Sequence, residues 1–188
     1  MEKRELRAFV RERRRLYGKE ELALWSEEIV GRLRCHHRVM AARTLLLYHP
    51  LPDEVDIRPL IAGLYSQGLS VLLPKVISDT EMTIHQYHGE KSLSLGASFG
   101  ILEPDTARFT DYSHIDVMII PGMAFDVEGH RLGRGRGYYD RFLSLMPDYI
   151  YKVGVCFPFQ MFPVIPFDRH DVAMDEVVCA KSDEVAFS

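Results

Sequence analysis

A chain of 188 residues, 47% hydrophobic and 27% charged, can bury one substantial core. Its formal net charge of −4 excludes bulk attraction to nucleic acid, so any phosphate site must be local. Three scattered cysteines, Cys35, Cys156 and Cys179, exclude a disulfide framework or a thiolate metal cage, and no stretch approaches the ~20 apolar residues of a membrane span. The basic opening "MEKRELRAFVRERRR" has no apolar stretch behind it and is not read as a secretory signal. The expectation is one soluble, cytoplasmic domain over residues 1–188.

In chain order, "KRELRAFVRERRRLY" predicts a helix with Leu6, Phe9, Val10, Leu16 and Tyr17 on one face and Lys3, Arg7 and Arg14 along its edge. "KEELALWSEEIVGRL" repeats the pattern through Leu22, Trp25, Ile29 and Leu33, and His36 and His37 compensate the dipole at a helix end. "TLLLYHP" is a short apolar run ended by proline, the mark of a buried strand. "DIRPLIAGLYSQG" predicts a helix capped by Gly68, and "LSVLLPK" another buried strand. "MTIHQYHG" alternates as an antiparallel strand does, while Glu90 to Arg108 reads as irregular. "IDVMIIPG" is the strongest strand, "YYDRFLSLM" starts a helix, and "YKVGVC" and "DEVVCA" are the last strands. Strands alternating with helices imply a mostly parallel, Rossmann-like sheet with helices on both faces, an α/β three-layer sandwich. Ligands in such sheets bind beyond the carboxyl ends of the strands.

One loop lies where such a ligand is expected. In "GHRLGRGRGYYDRFL", Arg131, Arg134 and Arg136 alternate with Gly133, Gly135 and Gly137 just ahead of a helix. Glycine N–H groups can form an anion nest, and guanidinium groups bind oxygens in pairs. The loop is neither a Walker A motif nor a dinucleotide fingerprint, since no Gly-Lys-Ser/Thr closes it and Tyr138 follows the G-x-G-x-G. Its arginine–glycine alternation is too short, and the chain too acidic, for an RNA-binding tract. A rival enzyme pattern, "GASFG", would make Ser98 a nucleophile with Asp148 or Asp168 and then His170, but Pro104 stands where the following helix should be. Asp140, one turn into the helix after the loop, and Asp175, before the last strand, are caps or surface charges unless a phosphate lies beside them; there they could hold magnesium.

These residues resemble a known family. "PGMAFDVEGHRLGRGRGYYDRFL" is similar to the signature of 5-formyltetrahydrofolate cyclo-ligases. Lys3 to Arg7 resembles the family's opening Lys-x-x-x-Arg helix, "YHPLPDEVDI" its strand and acidic turn, and "FGILEP" its FG-x-x-E-P. Pro166, His170, Asp171 and Asp175 resemble its closing motif, and Arg136 stands where lysine is often found. The resemblance implies ATP-dependent cyclisation of a reduced folate, 5-formyltetrahydrofolate, to 5,10-methenyltetrahydrofolate, through a phosphorylated formyl group. It implies ATP on Lys3, Arg4, Glu5, Leu6, Arg7, Arg131, Leu132, Gly133, Arg134, Gly135, Arg136, Gly137, Tyr138 and Tyr139, with Lys3, Arg134 and Arg136 acting on the transferred phosphate. Folate falls to Leu51, Glu54 and Asp56 with the segment from Arg134 to Tyr138, either acid contacting the pterin, and Mg2+ to Asp140 and Asp175. A monomer without nucleic-acid or membrane partners is expected, and the alternative is a phosphate-binding protein of the same fold without ligase activity.

Overall fold

The computed structural model describes residues 1–96, 100 and 102–181. The chain opens with α1 (Lys3–Arg14), α2 (Lys19–Arg34), a short α3 (His37–Ala41) and β1 (Thr44–Leu46). Next come α4 (Arg58–Ser66), β2 (Ser70–Val76), β3 (Met82–Gln86), β4 (Leu93–Leu95), β5 (Leu102–Pro104) and β6 (Arg108–Phe109). The second half holds β7 (Val117–Pro121), β8 (Ala124–Asp126), β9 (Arg131–Leu132), α5 (Tyr138–Leu143), β10 (Tyr151–Cys156), β11 (Met161–Phe162) and β12 (Glu176–Cys179).

The central sheet has the order β12-β10-β7-β1-β2-β3-β6. Its first five strands are parallel, and β3 pairs antiparallel with both β2 and β6. Side chains alternate across it, as the strand period of two requires. Leu45, Leu47, Val117, Ile119, Val153 and Val155 join the core under α1, α2 and α4. Leu46, Met118 and Ile120 point the other way, to Phe142 and Leu143 of α5 with Met146 and Ile150. With both faces covered, the strands need apolar residues at every position, which is why β1 and β7 read as continuous apolar runs. The three-layer α/β expectation is met.

The boundaries differ in places. "TLLLYHP" contributes only Thr44–Leu46 to the ladder, although Leu47 N still donates to Leu72 O at 2.9 Å. The part from Glu90 to Arg108 is not wholly irregular: β4 and β5 form a hairpin, and β6 adds the edge strand. A separate sheet, β11-β8-β9, is built from strands of two or three residues, too short to leave a periodic trace. Because α1 ends at Arg14, Leu16 falls outside its buried face and is 75% exposed.

The turn between β8 and β9 sets the path into the arginine loop. Asp126 is buried, and its Oδ1 accepts N–H bonds from Glu128 and His130 while Oδ2 accepts from Ile165. Gly129 completes the turn at φ 85°, and Met174 O lies 2.3 Å from where a Cβ would be. Gly68 has a similar φ, 81°, with nothing within 4 Å of the added atom. Gly129→Ala should therefore lose more than the ~1 kcal/mol of backbone strain expected for Gly68→Ala, reaching roughly 3 kcal/mol. Thermal melting of the two variants, read side by side, isolates the steric part; equal losses would show that the Met174 carbonyl yields.

Candidate active site

A cleft opens beyond the carboxyl ends of β1 and β7, with about 840 Å³ of unfilled space including its mouth. Tyr48, His49, Leu51 and Glu54, following β1, form one wall. Pro74, Val76 and Met82 supply an apolar surface beside Glu103 of β5. Pro121 and Gly122 lie at the base, and the far side is Arg131, Gly133, Arg134, Arg136, Gly137, Tyr138, Tyr139 and Asp140.

The loop is shaped by its glycines and tied to α1. Gly135 has φ 104° and Gly137 has φ 70°, left-handed values that strain any side chain. Arg7 Nε donates to Gly133 O at 2.7 Å, and its guanidinium carbon lies 3.5 Å from the position a Gly135 Cβ would take. On the outer side, the turn after β2 closes onto the loop and the start of α5: Tyr138 OH donates to Ser78 O, Arg141 Nε to Thr80 O, and Arg136 Nη1 to Asp79 Oδ1.

The predicted cations occupy unlike environments. Arg131 is a buried strut, with 3% of its side chain exposed. It donates from Nη2 to Asp140 Oδ1 at 2.6 Å and from Nη1 to Pro121 O at 3.2 Å, and lies 5.3 Å from the Tyr139 ring centroid. Its Nε is buried with no hydrogen-bond partner. Arg134 is half-buried, forked onto Asp53 and bonded to Glu54, and these partners outweigh the cost of burial to hold its pKa above the usual value. Arg136 is exposed. Lys3 lies outside the cleft lining, bound to Asp168 at 2.6 Å and Asp171 at 2.5 Å. Burial pushes the Asp171 carboxyl up, but bonds from Lys3 and the Asp168 N–H outweigh it and leave the pKa below the usual range. Of the remaining α1 residues, Leu6 is core, Arg4 is exposed, and Glu5 accepts from the Glu2 N–H at 2.9 Å. Leu132 is core as well, and Gly135 faces Arg7.

The predicted acids separate in the same way. Glu54 lines the cleft, accepting from Arg134 Nε at 3.0 Å and Leu51 N at 2.9 Å. Burial raises its pKa, and Arg134 offsets part of that rise. Asp56 turns away to Arg58, whose hydrogen bonds hold its carboxyl below the ordinary range. Asp140 lines the cleft beside Arg131, whereas Asp175 does not. Asp175 precedes β12 at the strand's amino end, where its Oδ2 accepts from Lys152 N at 2.7 Å. The structure does not bring Asp140 and Asp175 to one place. Among the described residues, no group of three or more His, Cys, Asp or Glu is arranged to hold a metal ion.

Three site residues stand within the matched motifs, His49 and Asp53 in "YHPLPDEVDI" and Glu103 in "FGILEP", but the sequence assigns them no individual role. His49 Nδ1 is buried in the cleft wall without a partner, and burial followed by the Arg58 charge lowers its pKa. Glu103 is 2% exposed and accepts from Val76 N at 3.0 Å. Asp53 grips Arg134 from a position outside the lining. The rival Ser98 falls outside the described residues, and Pro104 lies in strand β5. His170 is exposed and bonded to Arg169.

The chain is similar to known proteins in sequence and in fold. A model described as the 5-formyltetrahydrofolate cyclo-ligase family matches residues 1–180. A 5-formyltetrahydrofolate cyclo-ligase of Escherichia coli K12 is 30% identical over 174 residues, covering 90% of this chain and 95% of that protein. The structure of a 5,10-methenyltetrahydrofolate synthetase from Aquifex aeolicus superposes with a TM-score of 0.84 at 36% identity, over 97% of this chain and 91% of that one. The corresponding synthetase from Mycoplasma pneumoniae gives 0.77 at 26% identity, over 95% and 98%.

The burial of the arginines orders their contributions to stability. Arg131→Ala leaves Asp140 and Pro121 O without their donor and should cost about 3 kcal/mol. Arg136→Ala, breaking an exposed pair with Asp79, should cost less than about 1 kcal/mol. Chemical denaturation of both variants checks the order, and equal costs would contradict Arg131 as a buried strut.

Proposed function

The chain belongs to the 5-formyltetrahydrofolate cyclo-ligase family, and from that premise we propose that it converts 5-formyltetrahydrofolate to 5,10-methenyltetrahydrofolate using ATP, with release of ADP and phosphate. The observation that carries this reading to the residues is one cleft with a glycine–arginine loop on one side and a buried carboxylate, Glu54, on the other. A triphosphate and a pterin can meet there.

The chemistry needs both halves. A formamide carbon is a weak electrophile, and its oxygen is a poor leaving group. In the proposed reaction the formyl oxygen bonds to the γ-phosphorus of ATP as the bond to the β-phosphate bridging oxygen breaks. The second folate nitrogen then bonds to the formyl carbon and gives up its proton, and the carbon–oxygen bond breaks as the phosphorylated oxygen departs as inorganic phosphate. Phosphoryl transfer of this kind depends on positioning and charge stabilisation. Arg134, Arg136 and the N–H groups of the loop supply that, with Arg7 fixing the loop from α1. Lys3 reaches the nucleotide only by giving up an aspartate, a less direct role than that of Arg7. Glu54 accepts from the donor edge of the pterin, and Leu51 and Tyr48 contribute to the wall it lies against. Asp56, engaged by Arg58, does not make that contact.

Magnesium fits the cleft on one protein ligand. Asp140 faces the loop with Oδ1 held by Arg131, and a carboxylate with phosphate oxygens and waters is a common magnesium environment. Bound there, the ion would neutralise phosphate charge. Asp175, bonded to Lys152 at the amino end of β12, does not fit as its partner. The reading includes a cytoplasmic monomer acting on a small molecule. No helix among the described residues is long and apolar enough to cross a membrane.

ATP-dependent appearance of the methenyl product, followed by its absorbance, tests the assignment; nucleotide binding without turnover would instead support a phosphate-binding protein of the same fold. Glu54→Gln should raise the KM for 5-formyltetrahydrofolate about 10- to 100-fold and leave the KM for ATP within about twofold. The pH dependence has a defined sign. With its folded pKa raised above 4.5, Glu54 contributes stability that is present below that value and lost as pH rises through the raised one. Folate recognition needs the ionised form, so kcat/KM for the folate should rise over the same interval. Both titrations should vanish in Glu54→Gln, and an unchanged acid limb would assign it to another group.

A further inference from the structure

We propose that Asp53 is a positioning residue that keeps Glu54 open to the folate, acting through Arg134. The proposal rests on the reading of Glu54 as the pterin acceptor. Arg134 has two acidic neighbours and treats them differently. Its terminal edge forks onto Asp53, Nη2 to Oδ1 at 2.5 Å and Nη1 to Oδ2 at 3.1 Å. Glu54 receives a single bond, from Nε to Oε1 at 3.0 Å. Arg134 and Glu54 both line the cleft and Asp53 does not, so the fork holds the guanidinium from outside the site.

That division leaves Glu54 with room for a ligand. An ionised carboxylate offers about four acceptor positions. Arg134 Nε uses one on Oε1, and the Leu51 N–H uses one on Oε2. One position on each oxygen remains. The edge of a 2-amino-pyrimidinone presents two parallel N–H donors at matching spacing, and this is the edge that a pterin carries. The guanidinium–carboxylate fork has the same two-donor geometry and is the pairing arginine favours. Were Asp53 unable to accept two bonds, the nearest remaining partner for the fork of Arg134 would be Glu54. Arginine would then occupy the two positions the pterin needs. Asp53 prevents this by taking the fork itself. Its side chain is 39% exposed, against 10% for Glu54, so its removal disturbs the packing of the site little.

The test is equilibrium binding by titration calorimetry on the full chain, with 5-formyltetrahydrofolate and ATP titrated separately. Asp53→Asn should bind the folate about tenfold more weakly and ATP within about twofold of the wild type. In an Arg134→Ala background the same substitution should change folate affinity by less than about twofold, because the competing fork is gone. A purely structural role for Asp53 would give the same loss in both backgrounds. Unchanged folate binding in Asp53→Asn, or an equal loss with Arg134 absent, overturns the proposal while leaving the functional reading intact. A wild-type chain that binds no 5-formyltetrahydrofolate overturns both.

Discussion

A guanidinium with 3% of its side chain exposed needs partners on several sides, and Arg131 finds them in Pro121 O, Asp140 and the ring of Tyr139. Those partners come from the end of β7 and the first turn of α5. The buried charge therefore joins the sheet's most apolar strand to the helix that follows the glycine–arginine loop. It also crowds the base of the cleft. A Cβ at Gly122 would lie 2.6 Å from the Phe125 ring and 3.1 Å from Arg131 Cγ, so the floor must be glycine. With both ends of the loop pinned, its path between them is set by the left-handed turns at Gly135 and Gly137 and by Arg7 from α1.

Lys3 connects parts of the chain that are far apart in sequence. It binds Asp168 and Asp171, joining the first turn of α1 to the segment just before β12. Arg7, one helical turn on, binds the loop, so α1 bridges the carboxyl-terminal segment and the candidate phosphate site. Since α1 also buries Leu6 and Val10 in the core, its position is fixed by packing as well as by charge.

Much of the fold could be read from the sequence because burial on both faces leaves a strong mark. The apolar runs at β1, β2 and β7 and the turn residue Gly68 predicted their elements, although β1 is shorter than its run. The glycine–arginine loop was equally readable, since its residue types have few other uses in that order. What stayed hidden depends on tertiary partners. Glu54 and Asp56 are two residues apart and chemically alike, yet Arg58 draws one away while Arg134 holds the other in the cleft. Asp140 and Asp175 share a residue type, but opposite ends of the parallel strands separate them. Glu103 and His49 stand in the matched motifs "FGILEP" and "YHPLPDEVDI", but only folding places them against the loop. Six short strands, β4, β5, β6, β8, β9 and β11, left no trace in the sequence because two or three residues cannot show a period.

The turn at Ser78 to Thr80 offers a last consequence. Its contacts with α5 are accepted by backbone carbonyls, Ser78 O from Tyr138 and Thr80 O from Arg141. A main-chain acceptor is present whatever side chain the residue bears. The cleft's outer rim can therefore change composition while retaining these closures, provided the Ser78 hydroxyl that accepts from Thr80 N and Glu81 N keeps the turn in shape; the exposed Asp79–Arg136 pair also depends on residue identity. For protein engineering this makes the turn a suitable place for a reporter: a cysteine at position 80 could carry a fluorophore beside the loop while both main-chain acceptors and the Ser78 hydroxyl remain.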